Sequence, residues 1–190
     1  DGQKDPTIAT YAKEGETSIR VASKRKTLDE AREEVLKVVD KIYEALGDHV
    51  YSIDDEDLNI VVGNYLMNNN ITISSAESCT GGLFAGKITE IPGISKVFDR
   101  GLVTYSNRAK IEELGVSEDT LEKYGAVSKE TAEEMADGLK KVSGSDLCIA
   151  ITGIAGPEGG TLEKPVGLSY IAINYKGSTF VKSFQGRNVS

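Results

Sequence analysis

The chain is poor in the side chains that most catalytic and metal sites use. Its 190 residues include one histidine, two cysteines and no tryptophan. Cys79 and Cys148 form no CxxC pair, so the sequence predicts neither a zinc site nor a disulfide framework. A Ser-His-Asp triad would require His49 to reach across into a second domain. The low cysteine usage is typical of a protein of the reducing cytoplasm.

Long apolar runs and an excess of positive charge are also missing. No stretch reaches the roughly 18 apolar residues of a membrane helix, and no secretory signal opens the chain, so we expect no membrane partner. The formal net charge is −8 and the pI is about 4.8. This charge argues against nucleic acid as a partner, because lysine and arginine at phosphates supply most of that affinity. The start at Asp1 rather than Met favours a fragment of a longer protein.

Residues 1–55 have the pattern of a small α+β unit. Alternating apolar and polar residues predict a strand over 17–22. Thr27 followed by Glu30 has the form of a capping box, which predicts the start of an amphipathic helix. Residues 50–53 are expected to return as a second strand. Such a unit is too small to bury much surface alone, so we expect it to pack on another domain.

Residues 56–190 alternate between strands and helices. The acidic run 54–57 before them is predicted to be a solvated link, with a metal site as the weaker alternative. Strands are predicted over 71–75, 101–105, 147–152, 166–174 and 178–184, and helices over 80–90, 107–114, 117–124 and 128–142. The predicted fold is a layered α/β/α domain with a mixed sheet, preceded by the small α+β unit. Ligands of such sheets bind at the carboxyl ends of the strands.

The most informative stretch is Ser74–Gly82, where a strand is followed by a hydroxyl and a glycine pair. Ser78 would lie beside the free N–H groups at the start of a helix, where developing negative charge is stabilised. That position suits nucleophilic attack on a carbonyl, or the binding of an anion. The alternative is that Ser78 or Thr80 only caps the helix.

A serine nucleophile needs a neighbouring base, and this half of the chain has no histidine. Lysine is the available substitute, because a partly buried lysine loses its charge readily. We select Lys110, with Tyr105 as a proton relay or an orienting hydroxyl. The alternatives are an exposed helix lysine and a tyrosine at the edge of the core. Cys79 as nucleophile would also lack a histidine, and both cysteines are expected to be core residues.

A glycine-rich segment follows the predicted strand that ends at Thr152. It contains Gly153, Gly156, Gly159 and Gly160. These glycines permit a close approach of the backbone to a ligand, but they match neither the P-loop nor the dinucleotide fingerprint. One interpretation is a plain long loop; the position after a buried strand favours an anion or nucleotide contact. Arg108 and Arg187 are candidate phosphate partners.

Three motifs occur in the order that one known family shows. They are Ala76–Gly82, Tyr105–Lys110, and Thr152–Pro157 followed by Lys164–Gly167. Together they resemble the C-terminal domain of the competence-damage-inducible CinA proteins, over residues 56–190. Residues 1–55 resemble the KH-like linker domain that precedes it. The larger N-terminal domain of full-length members, similar to molybdopterin-binding proteins, is absent from this sequence, and none of its activity is expected here.

The resemblance to a KH domain does not extend to RNA binding. KH domains clamp the RNA backbone with a GxxG loop. Residues 1–70 contain no GxxG, and the chain is acidic. We therefore expect no nucleic acid partner for this unit.

The resemblance implies hydrolysis of nicotinamide mononucleotide to nicotinate mononucleotide and ammonia, with no metal or organic cofactor. It places the nucleophile at Ser78, the catalytic lysine at Lys110 and the active-site tyrosine at Tyr105. Backbone N–H groups near Thr80 and Gly81 would hold the oxyanion, each worth about 3 kcal/mol. The other expected substrate-binding residues are Thr152, Gly153, Gly156, Asn107 and Arg108. The segment 152–156 would hold the ribose phosphate, and the family favours a homodimer.

Two alternatives remain open. A non-catalytic nucleotide-binding or regulatory module would keep its ligand affinity after Ser78→Ala, whereas an amidase would lose turnover. A different amide substrate is the other alternative, because these motifs do not define the specificity of the pocket. Family members continue beyond the position of Arg187, so we expect weak activity if that further segment contacts phosphate.

Overall fold

A computed structural model describes residues 5–13 and 15–186, which divide into two compact units between Val61 and Val62. Each unit has its own sheet, one of two strands and one of five. Within the described ranges, no helix has both the length and the apolar character needed to cross a membrane.

The first unit contains an antiparallel strand pair and one long helix. Its elements are β1 (Thr7–Lys13), β2 (Glu16–Ala22) and α1 (Leu28–Leu46). α1 begins where the capping pattern predicts, because the Thr27 hydroxyl accepts a hydrogen bond from the Glu30 N–H at 3.2 Å. It ends at Gly47, whose φ of 52° is a conformation that glycine adopts readily.

The strand pairing of this unit corrects one expectation. Residues 50–53 form no strand, and the partner of β2 is β1, which the alternation pattern did not identify. The Tyr51 hydroxyl donates a hydrogen bond to the Glu16 carboxylate, so this stretch contacts β2 through a side chain rather than through a ladder. No residue of α1 is buried. The homodimer expected from the family stays a prediction.

The second unit carries a mixed five-stranded sheet. Its elements, with the helix α2 that spans the division, are α2 (Leu58–Asn68), β3 (Ile73–Glu77), α3 (Leu83–Thr89), β4 (Phe98–Val103), α4 (Asn107–Leu114), α5 (Glu118–Tyr124), α6 (Lys129–Ser143), β5 (Leu147–Gly153), β6 (Leu168–Tyr175) and β7 (Ser178–Gln185). The strand order is β4-β3-β5-β6-β7. β3 runs parallel to β4 and β5, whereas β6 and β7 are antiparallel.

Helices cover both faces of this sheet. Ala76 lies in the apolar core with residues of α6, whereas the next residue, Glu77, accepts hydrogen bonds from N–H groups at the start of α3. Because neighbouring residues of a strand point to opposite faces, α3 and α6 lie on opposite sides of the sheet. The predicted layered α/β fold with a mixed sheet is confirmed.

The main apolar core lies between the sheet and α6. Its fully buried members include Ala132, Met135, Ala136, Leu139, Cys148, Ala150 and Ala172. Cys148 is therefore a core residue, as expected. At Gly138 the approach of α6 to α4 is so close that a Cβ would overlap the carbonyl group of Leu114. The parallel pairing brings the carboxyl ends of β3, β4 and β5 to one edge of the sheet.

Candidate active site

Ser78 and Lys110 form a hydrogen-bonded pair at the carboxyl edge of the sheet. Ser78 directly follows β3, and its N–H donates to the Ile151 carbonyl of β5 at 2.9 Å. Lys110 lies on α4, which the Ser106 hydroxyl caps by accepting from the Ala109 N–H at 3.0 Å. The Lys110 Nζ lies 2.9 Å from the Ser78 Oγ. The two residues that the sequence analysis named as nucleophile and base are brought together by this placement.

Burial shifts the protonation equilibrium of Lys110 toward the neutral amine. Its side chain is fully buried, and among the described residues no carboxylate lies within ion-pair distance of its Nζ. Besides Ser78, its Nζ donates to the carbonyls of Thr104 and Tyr105, at 2.8 and 3.2 Å. Burial lowers the pKa of Lys110. A neutral amine retains two N–H donors for the carbonyls and one lone pair that can accept the Ser78 proton.

Glu77 is a buried carboxylate next to Ser78 that the sequence analysis did not single out. It is almost fully buried, and its carboxylate accepts hydrogen bonds from the N–H groups of Gly82, Phe84 and Ala85 at 3.1, 2.9 and 2.8 Å. A carboxylate at the start of a helix is stabilised there by the partial positive charge. The sequence does contain one indication of its role: Glu77 is a charged residue that directly follows four apolar or small residues of a strand.

The position of Glu77 corrects the expectation of free N–H groups at the start of α3. Three of those groups already donate to the chain's own carboxylate. The Gly81 N–H, predicted as an oxyanion donor, donates instead to the Ser78 carbonyl at 3.1 Å and closes a tight turn. Among the described residues, the N–H groups of Cys79 and Thr80 have no carbonyl partner, so they are the donors beside Ser78 that remain for an oxyanion.

Cys79 and Thr80 border the nucleophile without taking its place. Burial raises the pKa of the Cys79 thiol, although the N–H groups of Cys79 and Thr80 and the nearby Lys110 act in the opposite direction. A thiol held in its protonated form is a poor nucleophile. The Thr80 Oγ1 is buried and has no hydrogen-bond partner among the described residues.

Tyr105 is placed differently from the proton relay that the sequence analysis expected. The residue is 71% exposed, and its hydroxyl makes no hydrogen bond to Ser78 or Lys110. Only its carbonyl contacts Lys110. The reason is local: Tyr105 precedes the Ser106 cap of α4, so the backbone turns toward Lys110 while the ring points outward.

Asn107 and Arg108 lie on the first turn of α4 and are both exposed. The Arg108 side chain is 83% exposed, and its Nε lies 3.9 Å from the Glu112 carboxylate one turn along the helix. Such a surface pair is weak, so Arg108 is available for a phosphate but is not held toward Ser78. Arg187, the other candidate phosphate partner, lies outside the described residues.

The predicted binding residues after β5 have structural contacts of their own. The Thr152 side chain is buried and donates to the Ala126 carbonyl at 2.7 Å, so it does not face the Ser78 hydroxyl. A Cβ on Gly153 would lie 3.0 Å from the Cys79 sulfur and 2.8 Å from the Leu168 carbonyl oxygen. Gly156 has a φ of 83°, and a Cβ there would overlap Val166. Gly153 therefore borders the turn at residues 78–81, whereas the Thr152 side chain bonds the segment between α5 and α6.

The acidic run before α2 is engaged with a lysine of its own unit. Asp55 and Asp57 lie 3.8 and 3.7 Å from the Lys13 Nζ. Within the part of the chain that the structure describes, no group of three or more His, Cys, Asp or Glu side chains is placed to hold a metal ion.

Comparison with known proteins finds relatives over nearly the whole chain and solved structures with a similar fold. A competence-damage inducible protein of Acetivibrio thermocellus is 51% identical over 185 residues, which is 97% of this chain and 45% of the relative. A CinA-like protein of Kosmotoga olearia is 49% identical over a similar span. The chain thus covers less than half the length of these curated relatives. The crystal structure of the competence/damage inducible protein CihA from Agrobacterium tumefaciens matches with a TM-score of 0.68 and 43% identity, over 74% of this chain and 86% of that one.

Two family models together match nearly the whole sequence. The CinA C-terminal domain matches residues 55–188, and the KH domain of damage-inducible protein CinA matches residues 1–52. A CinA superfamily protein from Escherichia coli also has the fold, with a TM-score of 0.67 and 34% identity over 73% of this chain and 83% of that one. The chain belongs to the CinA family.

Proposed function

We propose that this chain hydrolyses the carboxamide of nicotinamide mononucleotide to give nicotinate mononucleotide and ammonia. The observation that carries the proposal is the 2.9 Å contact between the Lys110 Nζ and the Ser78 Oγ, with the lysine buried and its pKa lowered. A base within hydrogen-bond reach of a hydroxyl is the geometry that nucleophilic catalysis requires. The nucleotide comes from the resemblance of the motifs to the CinA C-terminal domain.

In the acylation step, the neutral Lys110 amine takes the hydroxyl proton of Ser78 while the Ser78 Oγ bonds to the carboxamide carbon. The carbonyl electrons move to oxygen, and the N–H groups of Cys79 and Thr80 are the proposed donors to this oxyanion. The C–N bond then breaks as the Lys110 ammonium returns its proton to the leaving nitrogen. Ammonia departs, and a nicotinoyl ester remains on Ser78.

In the deacylation step, a water oxygen attacks the ester carbon while Lys110 takes one water proton. The bond from carbon to the Ser78 Oγ breaks, and Lys110 returns that proton to the serine. Nicotinate mononucleotide leaves, and the pair is restored. One lysine therefore acts as base and then as acid in each half of the reaction.

The remaining residues position the pair or contact the nucleotide. The carbonyls of Thr104 and Tyr105 hold the Lys110 amine next to Ser78. Glu77 holds the start of α3, and with it the turn that carries Ser78. We assign the ribose phosphate to the glycine-rich segment after Gly153, where backbone N–H groups can approach a ligand closely.

The test compares two buried serines on the same strand region. Ser78→Ala should lower the rate of ammonia release from nicotinamide mononucleotide by at least about a thousandfold. Ser74→Ala, which removes a fully buried hydroxyl directed at Ser145 instead, should leave the rate within about twofold. Nucleotide binding should be similar in all three proteins, because Ser78 acts on the reacting carbon.

The outcomes separate the alternatives. Turnover that survives Ser78→Ala contradicts the proposed mechanism. A parent chain that binds the nucleotide but releases no ammonia indicates a non-catalytic binding or regulatory module. Ammonia released from another amide, such as free nicotinamide or glutamine, in preference to the nucleotide would retain the Ser78–Lys110 chemistry and replace the substrate.

A further inference from the structure

We propose that Lys164 is a positioning residue that holds the glycine-rich loop, residues 154–167 between β5 and β6, beside Ser78. Its Nζ donates to the carbonyls of Tyr124 and Val127 at 2.6 and 2.8 Å. These two carbonyls belong to the carbonyl turn, residues 124–127, which begins at the last residue of α5 and leads to α6. Charge-assisted hydrogen bonds of this kind are stronger than neutral ones.

The carbonyl turn is itself firmly held. The Thr152 Oγ1 of β5 donates to the Ala126 carbonyl at 2.7 Å, and the Thr131 Oγ1 of α6 donates to the Gly125 carbonyl at 2.7 Å. With the two bonds from Lys164, all four consecutive carbonyls of the turn accept a side-chain donor. The carbonyl turn is thus held by side chains of β5 and α6, and Lys164 links the glycine-rich loop to this fixed turn.

The glycine-rich loop has few other anchors along its length. At its base, the Gly167 N–H donates to the Ile154 carbonyl at 2.7 Å and the Ile154 N–H donates to the Leu168 carbonyl at 2.9 Å. Residues 155–163 are all exposed, whereas Lys164 is half-buried. A loop with exposed residues and few tertiary hydrogen bonds opens easily. The Gln185 Nε2 of β7 donates to the Val166 carbonyl near the end of the loop at 2.9 Å. Lys164, which makes two such bonds, is therefore the main side-chain link between this loop and the rest of the described unit.

The loop leaves β5 next to the turn at residues 78–81, which carries the proposed nucleophile. Gly153 packs so closely that a Cβ there would lie 3.0 Å from the Cys79 sulfur. Ser78 is bonded through its N–H to Ile151, two residues before Gly153. Because the loop continues directly from Gly153, we expect a loosened loop to expose Cys79 further and to displace the surface proposed for the nucleotide phosphate. The contact between Ser78 and Lys110 does not involve the loop, so the chemical step should be little affected.

Lys140 provides a matched control. Its Nζ also donates to two backbone carbonyls, those of Gly144 and Ser145 at 3.2 and 2.7 Å. These carbonyls precede β5 at the opposite end of the strand, far along the sheet from Ser78. Lys140→Met therefore removes the same kind of interaction without touching the glycine-rich loop.

The first test measures thiol labelling by DTNB at the two cysteines. Cys79 is partly exposed beside the loop, whereas Cys148 is fully buried in the core and reports general unfolding. Lys164→Met should label Cys79 at least about fivefold faster with Cys148 unchanged, and Lys164→Arg should restore most of the parent rate. Lys140→Met should leave the Cys79 rate unchanged. An unchanged Cys79 rate in Lys164→Met, or an equal acceleration at both cysteines, overturns the positioning role.

The second test rests on the proposed function and measures kinetics with nicotinamide mononucleotide. Lys164→Met should raise KM about tenfold with kcat within about twofold, because the loop contributes to binding rather than to chemistry. A fall in kcat with KM unchanged overturns this assignment. If the parent chain releases no ammonia, the proposed function fails on its own, and the labelling experiment still decides the role of Lys164.

Discussion

The two ends of the parallel strands β3 and β5 hold polar side chains in opposite ways. At the amino end, the Asp146 carboxylate accepts from the N–H and hydroxyl of Thr72 at 3.0 and 2.9 Å, and the Thr72 hydroxyl accepts from the Asp146 N–H at 2.9 Å. Ser74 and Ser145 bond each other at 2.7 Å. Each of these groups has a partner from the neighbouring strand region, so the set is complete without a ligand.

At the carboxyl end the set of partners is incomplete. Lys110 is fully buried, no described carboxylate lies within ion-pair distance of its Nζ, and its third contact is the hydroxyl of Ser78. The buried Oγ1 atoms of Thr80 and Thr104 have no hydrogen-bond partner in the described ranges. Burying such groups costs stability. The two ends therefore differ in kind: the carboxyl end, where we propose the active site, holds a buried amine that has no carboxylate partner and lies beside a hydroxyl, whereas the amino end holds serines and threonines that pair with one another or with Asp146.

The largest expected effect is obtained by exchanging one lysine at each end for arginine. Arginine keeps the positive charge but cannot be deprotonated, so Lys110→Arg should remove the base and lower kcat by at least about a thousandfold. Lys140→Arg should change kcat by less than about twofold, because its Nζ only bonds carbonyls. The rate of ammonia release from nicotinamide mononucleotide by the two variants measures this difference. Substantial turnover in Lys110→Arg would show that Lys110 need not accept a proton.

The second largest difference is expected in the loss of stability when the carboxylate at each end is replaced by an amide. Glu77→Gln leaves at most one oxygen for three N–H donors in a buried place, and should lower the free energy of unfolding by about 3 kcal/mol. Asp146→Asn should cost less than about 1 kcal/mol, because the site is partly exposed and the amide oxygen can keep a bond to Thr72. Urea denaturation measures both. Equal losses would mean that the start of α3 does not depend on Glu77.

Much of the fold around this site is predictable from local patterns. α4 begins and ends as predicted, because the Ser106 cap and Gly115, with a φ of 68°, mark its two ends. The almost entirely apolar run of β5 was predicted to be a buried strand, and it is one, because apolar side chains on both faces of a strand require cover on both sides of the sheet. The strand at 50–53 was wrongly predicted, because alternation alone does not say which of two neighbouring segments will pair with β2.

The pairing of individual donors and acceptors could not be predicted in this way. Because this half of the chain has no histidine, the sequence analysis predicted a lysine as the base. Only the fold shows that Lys110 reaches Ser78. The free N–H groups expected at α3 are occupied because Glu77 folds back onto them, which depends on its rotamer and on the β3 register. The Tyr105 ring was expected at the site, yet its backbone carbonyl is what contacts Lys110.

The rate and the stability should both depend on the ionisation of Lys110. Lys110 must be neutral to act as a base, and burial lowers its pKa below the ordinary lysine value of 10.5. Below the folded-state pKa of Lys110, kcat/KM should therefore rise about tenfold per pH unit, and it should level off above. Between the folded and unfolded pKa values the unfolded chain binds more protons, so stability should rise with pH in that window. NMR titration of the Lys110 side chain checks the shift directly. A rate profile with its midpoint at or above 10.5 would contradict the assignment.

The smallest effect should come from the serine pair at the amino end. Ser74→Ala or Ser145→Ala alone leaves one buried hydroxyl without its partner and should cost about 1 kcal/mol. The double variant should cost no more than either single one, because it removes both hydroxyls together. At the other end, adding Lys110→Met to Ser78→Ala should restore no turnover, since the two residues are needed for chemistry rather than for each other's burial. A double serine variant that loses the sum of both single effects would show that Ser74 and Ser145 have separate roles, and the amino end would then no longer be a set of mutually satisfied structural groups.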